Sequence, residues 1–187
     1  MYRRRHWRRI LAWETEWVRI LLKLVLDCPP EAAWRAVQSP AVLREVSGPL
    51  LDFESLELQG FPSRWEAGEH PVRVRVAGAV PVGEQVIGLE FPKRRHQGVQ
   101  IMKDTGRGLS GLSALITEWD HRIAIAADPI GTGKTLYRDQ LKFSAGKYSA
   151  AVWPGLWAFW QWRGLRLQQL APTWSSDIGE PSASAGA

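Results

Sequence analysis

The stretch VRILLKLVL (Val18–Leu26) followed by DCPPEAAWRAVQSP (residues 27–40) decides the fold. Val18, Ile20, Leu22, Leu24 and Leu26 recur at period two, so one face of an extended strand is apolar along its whole length. Asp27 and the pair Pro29-Pro30 end that strand. Pro30-Glu31 then opens a helix running through Gln38, with Ala33, Trp34 and Val37 at helical spacing. Ser39-Pro40 caps a second short helix to about Val46, and Gly48-Pro49 stops it.

Beyond this point the chain reads as strands alone. Segments at 50–59, 71–78, 84–91, 98–104, 113–126 and 134–144 are separated by turns bearing glycine and proline. A helix from Ser149 or Pro154 to Leu170 closes the domain. Strands that follow one another through short connections form an antiparallel meander. One face of such a sheet must be covered, and the terminal helix is the element long enough to cover it. The reading is therefore an α+β fold in which a seven-stranded curved antiparallel sheet grips a long C-terminal helix. A hollow between sheet and helix is the natural place for a ligand.

The element order and several local phrases resemble the START-like (SRPBCC) superfamily with its helix-grip fold, which includes polyketide cyclases and lipid-transfer domains. The phrases are Cys28 to Trp34 at the first strand–helix junction, Gly78 to Gly83 at a hairpin, Trp119-Asp120-His121-Arg122, and Gly133 to Asp139 on the last strand. The resemblance spans residues 18–171. It implies a cavity for a hydrophobic, aromatic, lipid-like or polyketide-like molecule, without a shared catalytic motif.

Composition bounds the rest. Of 187 residues, 45% are hydrophobic and 23% charged, as in a folded globular protein. No uncharged apolar run approaches the ~20 residues of a membrane-spanning helix. The single cysteine, Cys28, leaves no intramolecular disulfide and points to a reducing cytoplasmic setting. The net charge of +5 resides in Arg3, Arg4, Arg5, Arg8 and Arg9, and the remainder of the chain is balanced. A nucleic-acid-binding domain would carry its basic excess on the folded body. Residues 1–17 thus read as a basic, flexible extension, whose residues 3–17 offer weak contact with anionic membrane. That contact supplies one alternative function, peripheral membrane interaction. Residues 172–187 read as a disordered tail.

Gly131-Thr132-Gly133-Lys134-Thr135 imitates the end of a phosphate-binding loop, but Asp128 occupies the place of that motif's first glycine and a strand follows instead of a helix. Nucleotide binding is excluded on that ground. His6, His70 and His96 fall in the tail or in loops, so neither a metal site nor a cofactor is expected.

Two strand faces carry the candidate site. Trp119, His121, Ile123 and Ile125 share one, and Thr135, Tyr137, Asp139, Leu141 and Phe143 share the other. A turn centred on Ile130 pairs His121 with Asp139, Ile123 with Tyr137 and Glu118 with Lys142, although it also opposes Arg122 to Arg138. His121 beside Asp139 forms either an acid–base pair or a static pair closing two buried polar groups. No nucleophile or second carboxylate joins them, which favours the static reading. In the enzyme alternative, a polyketide cyclase or aromatase, His121, Asp139 and Tyr137 are the catalytic candidates.

The 11 tryptophans are several times ordinary usage. On the terminal helix Trp153, Leu156, Trp157, Trp160, Gly164 and Leu167 form one stripe, with Trp162 opposite. The expected ligand-binding set is Trp119, His121, Ile123, Tyr137, Asp139, Leu141, Trp153, Trp157, Trp160 and Gly164. In it, Gly164 leaves room beside large rings.

Overall fold

A computed structural model describes residues 17–92 and 98–178, with side chains to residue 175. The basic extension at 1–16, the segment 93–97 that contains His96, and the chain beyond Ile178 lie outside the described residues.

Strand β1 (Val18–Leu26) leads into α1 (Pro30–Val37) and α2 (Pro40–Ser47). Both helices start as the prolines dictate, with Pro at the first helical position, where the missing N–H costs no bond. The Ser39 hydroxyl accepts from the Val42 amide at 3.4 Å and caps α2. Then follow β2 (Leu51–Ser55), β3 (Gly68–Val76), β4 (Val80–Glu90), β5 (Gln100–Asp104), the two-residue β6 (Arg107–Gly108), β7 (Glu118–Ala127) and β8 (Thr135–Ser144). Helix α3 (Ser149–Leu170) closes the domain. The sheet runs β1-β8-β7-β5-β4-β3-β2 with every neighbour antiparallel, and β6 pairs with β4 off this path. This is the expected helix-grip architecture.

Strand β7 begins later than sequence periodicity suggests. Residues Gly111–Leu115 form a 3-10 turn, and the strand starts at Glu118. The turn lies backbone to backbone on β4: a Cβ on Gly83 would stand 2.0 Å from the Ser110 carbonyl oxygen, and Gly83 has φ 144°. Only glycine permits that approach.

The β7–β8 register also differs from the expected one by two residues. The loop at 128–134 centres on Gly131, not Ile130. Gly131 and Gly133 take φ of 74° and 75°, and the Asp128 carboxylate accepts from the Thr132 hydroxyl at 2.5 Å. Pairing resumes with Ala127 opposite Thr135. His121 therefore faces Leu141, Ile123 faces Asp139, and Ile125 faces Tyr137. Asp120, rather than Glu118, opposes Lys142, while Arg122 meets Gln140 and Arg138 meets Ala124. The shifted register thereby removes the like-charge pair that the expected one would have created.

At the other end, residues Ala171–Ile178 continue past the boundary expected at 171 as a 3-10 helix against α1. Trp174 is buried there beside Ala171 and joins the main core. The large, apolar Trp174 gains more by burial than a solvated tail could offer. A second, smaller core of Ile20, Leu141, Phe143 and Trp160 lies under the first half of α3.

Candidate functional site

Between the two cores the sheet curves away from α3 and leaves a cavity of about 620 Å³, within the ~300–1,000 Å³ span of small-molecule sites. Its walls come from α1, α2, the concave faces of β2 to β5, β7, β8, and one side of α3. Leu50, Val76, Leu112 and Leu115 line it and are also exposed, so they mark its mouth. The walls are mostly aliphatic and aromatic. Gln85, Asp104, Ser113, His121, Tyr137 and Arg163 are the polar side chains among them.

The fully buried carboxylate of Asp139 organises the floor. Its Oδ1 accepts from His121 Nε2 and from Trp160 Nε1, each at 2.9 Å. Its Oδ2 accepts from the Tyr137 hydroxyl at 2.9 Å, with the Arg163 guanidinium 3.8 Å away. His121 reaches Asp139 on the diagonal, since its direct cross-strand neighbour is Leu141. Burial alone would raise the Asp139 carboxyl. The His121 charge and hydrogen bond, followed by Arg163 and Trp160, outweigh it and hold the group well below its ordinary value. Burial, then the neighbouring Asp139 charge, pushes the Tyr137 phenol well above its usual range, so it remains a neutral donor.

A second carboxylate braces the wall. Asp104 Oδ1 accepts from the backbone amides of Gly88 and Gly106, each at 2.9 Å, and its Oδ2 accepts from Trp119 Nε1 at 3.0 Å. His121 Nδ1 lies 4.0 Å from the same Oδ2. The rings of Trp119, His121 and Trp160 meet edge to face, at centroid separations of 6.0 Å for the tryptophan pair and 5.3 Å for His121 with Trp160.

Of the residues that sequence reading assigned, Trp119, His121, Ile123, Tyr137 and Trp160 line the cavity, and Asp139 sits directly behind them. Leu141, Trp153, Trp157 and Gly164 do not line it. Leu141 fills the smaller core, and Trp153 packs against that core with Trp157 stacked on it at 6.1 Å. Trp157 is 45% exposed. The reason is the orientation of α3, which sets Gly164 on β1 and Trp153 on the smaller core. Of the expected stripe the cavity keeps Leu156, Trp160 and Leu167, and in place of Trp153, Trp157 and Gly164 it receives Val152, Phe159 and Arg163. Trp162, expected on the opposite side, donates from Nε1 to the Gly48 carbonyl at 3.0 Å and ties α3 to the end of α2.

Gly164 faces β1. A Cβ there would meet both Leu22 methyls at 3.1 Å. Gly164→Leu is therefore expected to destabilise the protein by about 1–3 kcal/mol through overpacking, leaving occupancy of the cavity unchanged. Thermal melts and dye binding on one preparation check both halves; a folded variant with impaired binding would place Gly164 back at the site.

Sequence reasoning missed Arg163 and Asp104. Arg163 was legible only as a charge one turn after Phe159, and charges on helices ordinarily face water. Asp104 sits at a strand end, where a carboxylate ordinarily serves a turn. Among the described residues no group of three or more His, Cys, Asp or Glu side chains is placed to hold a metal ion. Nor is any described helix long and apolar enough to cross a membrane.

No protein-family model matches the chain, and no curated protein matches it. Solved structures do. A structural-genomics target protein of Chromobacterium violaceum is 19% identical with a TM-score of 0.56, over 82% of this chain and 96% of that one. An aromatase/cyclase from a Streptomyces species is 11% identical with a TM-score of 0.53, over 90% and 99%. Norcoclaurine synthase from Thalictrum flavum, solved with dopamine and hydroxybenzaldehyde, is 12% identical with a TM-score of 0.54, over 91% and 95%. Nearly the whole length of each neighbour is matched, so the shared feature is the complete architecture rather than a fragment of sheet. The chain has the helix-grip fold.

Proposed function

We propose that this helix-grip chain binds a small hydrophobic molecule, aromatic or aliphatic, in the cavity beneath α3. The observation that carries the reading is the cavity itself: about 620 Å³ walled mainly by apolar side chains in a chain of this size. Native interiors are close-packed, with few voids larger than a water molecule. A volume this large with an apolar rim at its mouth represents lost packing unless something occupies it. The aromatic edges of Trp119 and Trp160 suit a flat or elongated apolar body.

The polar floor favours binding over acid–base chemistry. His121 Nε2 is engaged by Asp139 at 2.9 Å, and Nδ1 stands 4.0 Å from the Asp104 carboxylate, so the imidazole is held between two carboxylates rather than aimed at the centre of the cavity. Asp139 accepts from three donors and is not itself a lining residue. A second reading, cyclase-type chemistry, draws on His121 and Tyr137 both lining the cavity and on the fold shared with the aromatase/cyclase.

Native mass spectrometry of protein purified without detergent tests the proposal. The expected result is a small-molecule adduct released on denaturation. Where the preparation is empty, the neutral dye N-phenylnaphthylamine should gain fluorescence and quench tryptophan emission at one saturable site. No adduct, no saturable dye binding and no quenching together would overturn the reading.

A further inference from the structure

Arg163 is the anomaly in the cavity. It is only 7% exposed, lines the cavity, and lies on the side of α3 that faces the sheet. Its guanidinium carbon lies 5.0 Å from the Trp160 ring centroid and 5.9 Å from that of Phe159, two rings that themselves meet edge to face. Ring contacts attract the cation but supply no oxygen acceptor for its N–H groups. Its Nε has no acceptor among the described residues, and its nearest charge partner, Asp139 Oδ2, is 3.8 Å away, beyond hydrogen-bond distance.

Asp139 does not need the guanidinium as a donor. Its two oxygens already accept from His121, Trp160 and Tyr137. Asp104 is also occupied, by two backbone amides and the Trp119 indole. The two acidic groups beside the cavity are thus fully bonded, and the basic one is not. A buried donor without an acceptor is costly, and a buried guanidinium more so. The protein has already met the cost of desolvating that charge, so an incoming anion need supply only its own.

We propose that the cavity selects acids: the edge of Arg163 receives the carboxylate of a ligand whose apolar body fills the space between Trp160, Phe159 and the aliphatic wall. A planar carboxylate matches the fork of a guanidinium, which is why arginine rather than lysine serves such sites. The ligand enters head first, because Arg163 approaches the buried floor while the exposed leucines stand at the mouth. This inference rests on the ligand-binding reading above and adds the chemical class.

The test compares decanoate, decanol and decylamine as competitors for N-phenylnaphthylamine on the full chain. Decanoate should displace the dye at about one-tenth the concentration that decanol requires, and decylamine should be the weakest. In Arg163→Met, which keeps the stem and drops the charge, decanoate and decanol should become equal while decanol itself is unchanged. Arg163→Gln serves as a second variant should Arg163→Met fail to fold. Equal displacement by decanoate and decanol in the unmodified protein, or an acid preference surviving in either variant, would overturn the inference while leaving the cavity reading intact. Failure of the dye and all three competitors would instead bring down the cavity reading, and this inference with it.

Discussion

Asp139→Asn is expected to cost about 3–5 kcal/mol, the range for removing one partner from a buried charged pair. In a chain of this length that is on the order of 10 °C in melting temperature. The substitution is nearly isosteric, so the effect is electrostatic. Asp139 satisfies His121, Trp160 and Tyr137 at 2.9 Å each and is the nearest counter-charge to Arg163. An asparagine amide keeps one acceptor oxygen, but turns two N–H groups toward donors and leaves Arg163 buried without compensation.

The pH dependence follows from the same residue. The Asp139 carboxyl is held below its ordinary value by His121, Arg163 and Trp160 against the opposing effect of burial. A group depressed in the folded state contributes fully above its unfolded value near pH ~4, and that contribution is lost as pH falls further. The melting temperatures of wild type and Asp139→Asn should therefore converge as pH is lowered from about 5 toward 2. Parallel curves over that range would mean Asp139 contributes nothing through its charge. The same variant tests the cyclase reading: a folded Asp139→Asn that keeps dye binding but loses a measured turnover would promote catalysis over binding.

Gly155→Trp is expected to abolish binding without weakening the fold. Gly155 lines the cavity, and a Cβ built on it meets no atom within 4 Å. The indole would enter space that is otherwise apolar and empty, close to the mouth. Glycine inside a helix is unfavourable by about 0.8–1.0 kcal/mol relative to alanine, so the substitution should leave stability equal or slightly higher. N-phenylnaphthylamine affinity should fall by at least about tenfold, whereas Gly155→Ala should retain it. A folded Gly155→Trp that binds the dye with full affinity would show that the apolar ligand sits elsewhere. The contrast with Gly164 is informative, because the two glycines are nine positions apart on one helix and face different neighbours.

Much of the architecture was legible because period-two and period-3.6 patterns report which face of an element is buried. The alternation of Val18 to Leu26 made β1 an amphipathic strand, and the structure buries Ile20 and Leu26 while exposing Leu21 and Val25. The proline pair fixed the start of α1, because a missing N–H and a preset φ are properties of one residue alone. The buried face of β8, from Thr135 to Phe143, was readable for the same reason. Even the contact of His121 with Asp139 was anticipated, although from a register two residues out. Alternation fixes the face of a strand but is blind to a shift of two.

What only the tertiary structure decided was the set of relations between elements. The turn at 128–134 chose its length through Asp128, Gly131 and Gly133 acting together, and so set the register. The rotation of α3 could not be read from its sequence, because tryptophan surrounds much of that helix and every side of it is partly apolar. Packing Gly164 onto Leu22 selected the orientation. That rotation turned Trp157 toward water and swung Arg163 inward, beside a carboxylate 24 positions earlier in the chain. Local pattern specifies which residues avoid water. Where they meet, and whether a void is left between them, depends on the fit of whole surfaces that are distant in sequence.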